Sequence, residues 1–216
     1  GAMRLATWNV NSIRARVERT VDFAVREDID VLAMQEIKCR PDQFPYAQFE
    51  DAGYSVEAHG LNQWNGVAIA SRLPMTDIEH SFPGMPALAL VGDFNIAPTD
   101  ADNGDPTVVP GVTTHVSEPE RVAFRDLEAA GLSDVVRPLV PTGFTYWDYK
   151  QLRFPRNEGL RIDFILGSHA VAEAVRGAAI HRNERKGEIP SDHVPVVVDL
   201  ELDSAEDSDD VPMIFG

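Results

Sequence analysis

The sequence predicts a mixed α/β domain, on three observations. Short β-prone runs stop at turn-forming residues, the stretch 13–27 carries apolar residues at helical spacing, and neither a linker nor an internal repeat divides residues 1–202. The 216 residues are 44% hydrophobic and 25% charged, which is enough for one substantial core and excludes disorder throughout. The longest apolar runs, 87–91 and 194–198, are strand-sized and far short of the ~20 residues of a membrane span. After Gly1-Ala2-Met3 no basic start leads into an apolar stretch, so no export signal and no membrane partner are expected. A single cysteine, Cys39, allows no intrachain disulfide, and a reducing cytoplasm is the simplest setting.

Taken in order, residues 4–8 make a first strand that ends in the turn formers Asn9-Val10-Asn11-Ser12. Ile13, Val17, Val21, Ala24 and Val25 then place an amphipathic helix over 13–27, and 31–35 returns as a strand. Further strands are expected at 54–58, 66–71, 87–92, 161–166 and 194–200, with helices at 119–130 and 169–175. Ser117 and Glu120 have the spacing of a capping box, with Ser117 as N-cap, so the neighbouring His115 reads as structural. Asp100-Ala101-Asp102-Asn103-Gly104-Asp105 resembles the start of a calcium loop, but its glycine is one position early and Gly111 stands where glutamate is needed; a solvated loop is expected. Residues 203–216 read as an acidic, solvated tail.

The formal net charge is −16, which at first argues against a nucleic-acid partner. From Asp199 onward there are seven acidic residues and no basic one, leaving −9 on the body, and 150–186 holds eight basic against four acidic residues. A bound divalent cation would add positive charge where it is needed, so charge alone does not exclude DNA.

Polar residues recur at strand ends: Asn9 after the first strand, Glu36 after the second, Asp93 and Asn95 after 87–91, and Asp192-His193 before the last. Such ends can converge on one edge of a sheet-based fold. Amides, carboxylates and one imidazole, without clustered Cys or His, suit Mg²⁺ or Mn²⁺ better than zinc. Phosphoryl transfer follows, with a metal and donors stabilising phosphate oxygens while a carboxylate positions water. Three consecutive side chains, Ser191-Asp192-His193, cannot form a Ser-His-Asp relay. A carboxylate on another strand, Asp163, is the candidate to orient His193. The plainer readings are that Glu36 and Asp163 form structural ion pairs, with Arg161 or Arg4 as partners, that strand-end Asn residues cap turns, and that Cys39 is inert.

Seven motifs, in order, carry a family resemblance: Thr7-Trp8-Asn9-Val10-Asn11, Gln35-Glu36-Ile37-Lys38, Trp64-Asn65-Gly66-Val67-Ala68, Gly92-Asp93-Phe94-Asn95, Thr145-Tyr146-Trp147-Asp148-Tyr149, Gly159-Leu160-Arg161-Ile162-Asp163 and Pro190-Ser191-Asp192-His193. Together they resemble the exonuclease III type of apurinic/apyrimidinic endonuclease, in the endonuclease/exonuclease/phosphatase superfamily. The resemblance implies a four-layered α/β sandwich, two mostly antiparallel sheets flanked by helices, and incision 5′ to abasic sites with removal of nucleotides from 3′ ends of double-stranded DNA. It implies Glu36 as principal Mg²⁺ ligand with Asn9 or Asn11 near it and Asp192 assisting. Asp93 would activate water or assist the leaving group, Asn95 would bind water or a phosphate oxygen, and His193, oriented by Asp163, would hold the phosphate. Asn65, Tyr146, Trp147 and Arg161 would face DNA, with Tyr146 and Trp147 lining the pocket for the abasic sugar.

One departure stands out. The family continues after the region of Phe82-Pro83-Gly84-Met85-Pro86 through further strands, a Tyr-bearing loop and a helix, whereas here Pro86 meets Ala87 directly. Either the chain has lost that block or the sequence omits residues present in the molecule; the second is expected, because losing internal strands would expose sheet edges and remove core. Other readings are a superfamily phosphodiesterase or phosphatase acting on another phosphate ester, or a non-catalytic DNA-binding relative. Gln151-Leu152-Arg153-Phe154 partly resembles peptides that bind bacterial sliding clamps. A monomer in the bacterial cytoplasm, at the nucleoid, is expected.

Overall fold

The computed structural model describes residues 1–60, 62–74 and 87–201 and the backbone of 214–215. Strand β1 (Ala2–Asn9) leads through Asn11 and Ser12 into α1 (Ile13–Arg26), where the Ser12 side chain accepts from the Ala15 N–H. There follow β2 (Val31–Gln35), α2 (Tyr46–Asp51), β3 (Ser55–His59), β4 (Val67–Ser71), β5 (Leu88–Asp93), α3 (Glu118–Ala129) and β6 (Ser133–Asp134). The order closes with β7 (Asp163–Gly167), α4 (His169–Ala174), β8 (Val175–Ile180), β9 (Val196–Glu201) and β10 (Ile214–Phe215).

The strands form a six-stranded sheet, β3-β4-β2-β1-β9-β8, and a four-stranded sheet, β10-β5-β7-β6. Pairing is antiparallel except between β1 and β2 and between β10 and β5. Alternation along β1 sets the layers. Leu5 points into the core between the sheets with Ile165 of β7 and Val198 of β9, whereas Ala6 and Trp8 point outward onto Phe23 of α1 and Phe49 of α2. On the far side Phe124 of α3 packs on Phe164 and Leu166 of β7. Helices, sheet, sheet and helix make the four layers the resemblance implies.

Four elements escaped the periodicity: α2 and β6 are short, β8 follows α4 without a break, and β10 lies in the acidic tail. Residues 214–215 pair with Leu88 and Ala89, at the end of β5 away from Asp93; the rest of the expected tail, 203–213 and 216, lies outside the described residues. The Pro86–Ala87 junction borders residues outside those described.

Two local expectations are corrected. Ser117 is the N-cap of α3, but its hydroxyl donates to Glu120 at 2.5 Å, and Glu120 accepts from the His115 N–H; the reciprocal box does not form. The 100–105 segment is not simply solvated, because Asp102 is 1% exposed and takes both guanidinium nitrogens of Arg137 at 2.6 and 3.0 Å. A carboxylate buried to that extent needs such a partner.

Candidate active site

Five strand ends meet at one edge of the two sheets. Asn9 and Gln35 are register partners at the ends of β1 and β2, Asp93 and Asp163 are partners across β5 and β7, and His193 precedes β9. The chain bends hard there, with positive φ at Asn11, Ser12, Glu36, Lys38 and Asn95. Non-glycine residues held in that region cost energy, and such sites cluster where function requires a fixed geometry. Backbone bonds hold the bends: Ser12 N–H to Glu36, Ile13 to Ile37, Ile37 to Gly66 and Lys38 to Asn65. Ser191 serves as a staple, its hydroxyl donating to the Asn9 carbonyl at 2.6 Å.

The Asn9 side chain joins the sheets. Its amide donates to Glu36 and, at 3.0 Å, to Asp93 Oδ2, while its oxygen accepts from the Asn11 N–H. His193 lies on the other side of Asp93, with Nε2 3.6 Å from Asp93 Oδ2 and Nδ1 2.8 Å from Asp163 Oδ2. Asp93 Oδ1 accepts from the Asn95 N–H at 2.8 Å, which shapes the turn after β5. Glu36, Asp93 and His193 each offer a ligand-type atom, all within 4.8 Å of one another, so the edge can hold a metal ion.

At the buried imidazole, desolvation and the neighbouring carboxylates act in opposite directions. Burial alone would depress His193, but Asp163 first, then Asp93 and Asp192, push it up to about 9. Burial raises Asp163 to about 6 against the pull of His193. At neutral pH the pair is therefore imidazolium and carboxylate. A protonated His193 cannot ligate a metal and is a donor, so of these three side chains only the oxygens of Glu36 and Asp93 could then hold an ion. Asp192 is raised by burial and feels both His193 and Glu36.

The plainer ion-pair reading fails for Asp163, whose partner is His193, and Arg4 instead pairs with Asp199. Asn11 turns its oxygen to Lys38 Nζ at 2.6 Å, not toward Glu36, and its amide to Tyr149. Two residues expected to face DNA do not. Arg161 is 1% exposed, on the buried strand approach near Arg137 and Asp134, and Trp147 is 1% exposed, its indole donating to Asn157. Arg161 lies in a run, 159–167, that is buried throughout, and the Trp147 ring packs against Phe144 and Phe154. Tyr146 is half-buried with its ring 5.0 Å from that of His193, and burial raises its hydroxyl; Asn95 and Asn65 are exposed at the rim.

The clamp-like peptide is folded up. Gln151 and Leu152 form a turn with positive φ, and the Phe154 ring is covered by Arg182, Arg185 and Trp147. Cys39 is fully buried, and burial raises its thiol. One residue set aside in the sequence touches the site: His115, with φ of 82°, contacts the Asn95 carbonyl through Nδ1 at 2.7 Å. A histidine twenty residues from Asn95 gives no signal of that contact.

Among known families, one described as the endonuclease/exonuclease/phosphatase family matches residues 6–193, a span that runs from β1 to His193. The chain belongs to this family. Within it, the exodeoxyribonuclease III of Haemophilus influenzae is 28% identical over 263 positions, covering 90% of this chain and 98% of that protein. Those positions outnumber the 216 residues here, so that relative carries residues without a counterpart in this chain. Among solved structures, a 3′ phosphatase from Neisseria bound to a product DNA hairpin superposes with a TM-score of 0.83 at 30% identity, covering 93% of this chain and all of that one. An AP endonuclease from Archaeoglobus fulgidus gives 0.82 at 26% identity with the same coverage. No described helix is long and apolar enough to cross a membrane.

Proposed function

We propose that this family member is a DNA-repair nuclease that hydrolyses the backbone of duplex DNA 5′ to abasic sites and trims 3′ ends, acting as a monomer in the bacterial cytoplasm. The observation that carries the reading is the unbroken series of contacts Asp163, His193, Asp93, Asn9, Glu36, which sets a fixed donor beside oxygen ligands. The all-oxygen pair Glu36 and Asp93, with Asp192 beside them, fits a hard cation, Mg²⁺ or Mn²⁺. When bound, that ion would supply positive charge to the phosphate and the leaving oxygen.

This chain's own residues would do the rest. His193, kept protonated by Asp163, donates Nε2–H to a phosphate oxygen. Asp93, tethered by Asn9 and the Asn95 N–H, orients the attacking water and accepts its proton. Asp192, raised by burial, is suited to return a proton to the leaving oxygen. Asn95 binds the water or a phosphate oxygen at the rim, with Tyr146 and Asn65 toward the DNA. No clamp-docking role is proposed, since Phe154 is already covered. The Pro86–Ala87 junction is our proposed place for the residues found only in the longer relative.

A duplex with one abasic analogue tests the reading. Incision on the 5′ side with Mg²⁺, abolished by a chelator, is expected; binding without cutting would instead favour a non-catalytic DNA-binding role.

A further inference from the structure

Strand β8 runs antiparallel to β9 with Ile180 opposite Val196, so its end lies on the edge that carries His193. There the turn Arg182–Arg185 meets the loop after Trp147. The Arg185 guanidinium sits 4.9 Å from the centre of the Tyr149 ring and 5.3 Å from that of Phe154, and the Arg182 guanidinium 4.2 Å from Phe154 and 5.5 Å from Trp147. Their hydrogen bonds go to carbonyls: Arg185 to Trp147 at 3.2 Å and Asp148 at 3.4 Å, Arg182 to Phe154 at 3.5 Å. A carbonyl orients a guanidinium without cancelling its charge. Asp148 and Asp192 influence Arg185, yet neither arginine forms an ion pair among the described residues, whereas Arg19 and Arg26 share Glu184, and Arg153 holds Glu158 and Asp105. Tyr149 links the stack to the catalytic rim, donating to the Pro190 carbonyl at 2.8 Å and accepting from Asn11 at 3.2 Å.

We infer that Arg182 and Arg185, stacked on Phe154 and Tyr149, form a phosphate-binding subsite that grips the DNA backbone beside the cleavage centre. Two unneutralised cations on the catalytic edge of a chain of net charge −16 have a use there. Stacking fixes their forks in advance, so less side-chain freedom is lost on binding. The inference rests on the DNA reading above.

Its test is the salt dependence of binding to a blunt duplex, followed by fluorescence anisotropy in a chelator so that nothing is cut. Each of Arg182→Ala and Arg185→Ala is expected to make the slope of log affinity against log salt shallower by about 0.9, and the double variant by about 1.8. Arg182→Lys keeps the charge and so keeps the slope, with weaker binding. Arg176→Ala, at the opposite end of β8, is expected to bind as the parent does. Parental slopes in folded Arg182→Ala protein would overturn the inference, as would an equal change in Arg176→Ala; Arg182 is exposed, so this arm stands even if Arg185→Ala unfolds. No binding by the parent chain would overturn the DNA reading itself and the subsite with it, a result distinct from a parental slope.

Discussion

His193 keeps its proton because a carboxylate faces each of its ring nitrogens, Asp163 at Nδ1 and Asp93 at Nε2. In metal-free protein, NMR should find its imidazole titrating near 9, and Asp163→Asn should lower that midpoint, because burial is then less opposed. The same substitution should cut the rate by roughly two to four orders of magnitude. An unchanged midpoint in Asp163→Asn would show that the pair does not set the proton. Activity should fall on the acid side as Asp163 protonates near 6 and on the alkaline side as His193 loses its proton near 9, a bell whose two limbs a rate profile can read. Since the folded value lies above the ordinary 6.5, the histidine's contribution to stability is complete below about 6.5 and lost as pH rises through 9. At this scale the sequence was legible wherever a polar residue ended a strand. It misleads at Arg161 and Trp147, whose motif positions are not surface positions, and it is silent on His115, whose contact with Asn95 depends on the intervening loop.

The elements place these residues by backbone constraint rather than by propensity. Gly159 shows how tight the approach is: a Cβ there would lie 2.6 Å from Trp147 Nε1, 2.7 Å from the Tyr146 carbonyl and 2.8 Å from Phe144 Cβ. Gly159→Ala should therefore cost about 1–3 kcal/mol, a clash with backbone that cannot swing away. Thermal unfolding would register this as a fall of about 2–4 °C per kcal/mol, and a parental melting temperature would show that the loop gives way. Strands with a buried face, such as β1 and β9, could be read from their apolar runs. β6 and β8 could not, because a two-residue strand has no period and β8 continues from α4 without a turn signal. The layering of the elements came from the family resemblance, since periodicity reports which face is apolar and not what covers it.

Across the whole molecule, charge is arranged against its own average. The chain is strongly acidic, the site edge gathers Glu36, Asp93, Asp163 and Asp192, and Arg182 and Arg185, without an ion pair among the described residues, flank that edge. Crowded carboxylates are a stored repulsion that a divalent cation relieves. Saturating Mg²⁺, at about one hundred times its dissociation constant, should stabilise the fold by about 2.7 kcal/mol, read as a rise in melting temperature. A melting temperature indifferent to Mg²⁺ would argue against the site. The most direct test of the central claim is incision of an abasic duplex by Glu36→Ala beside the parent, at equal protein and Mg²⁺. Loss of cutting in a folded variant is the predicted result, and cutting at the parental rate would contradict the assignment.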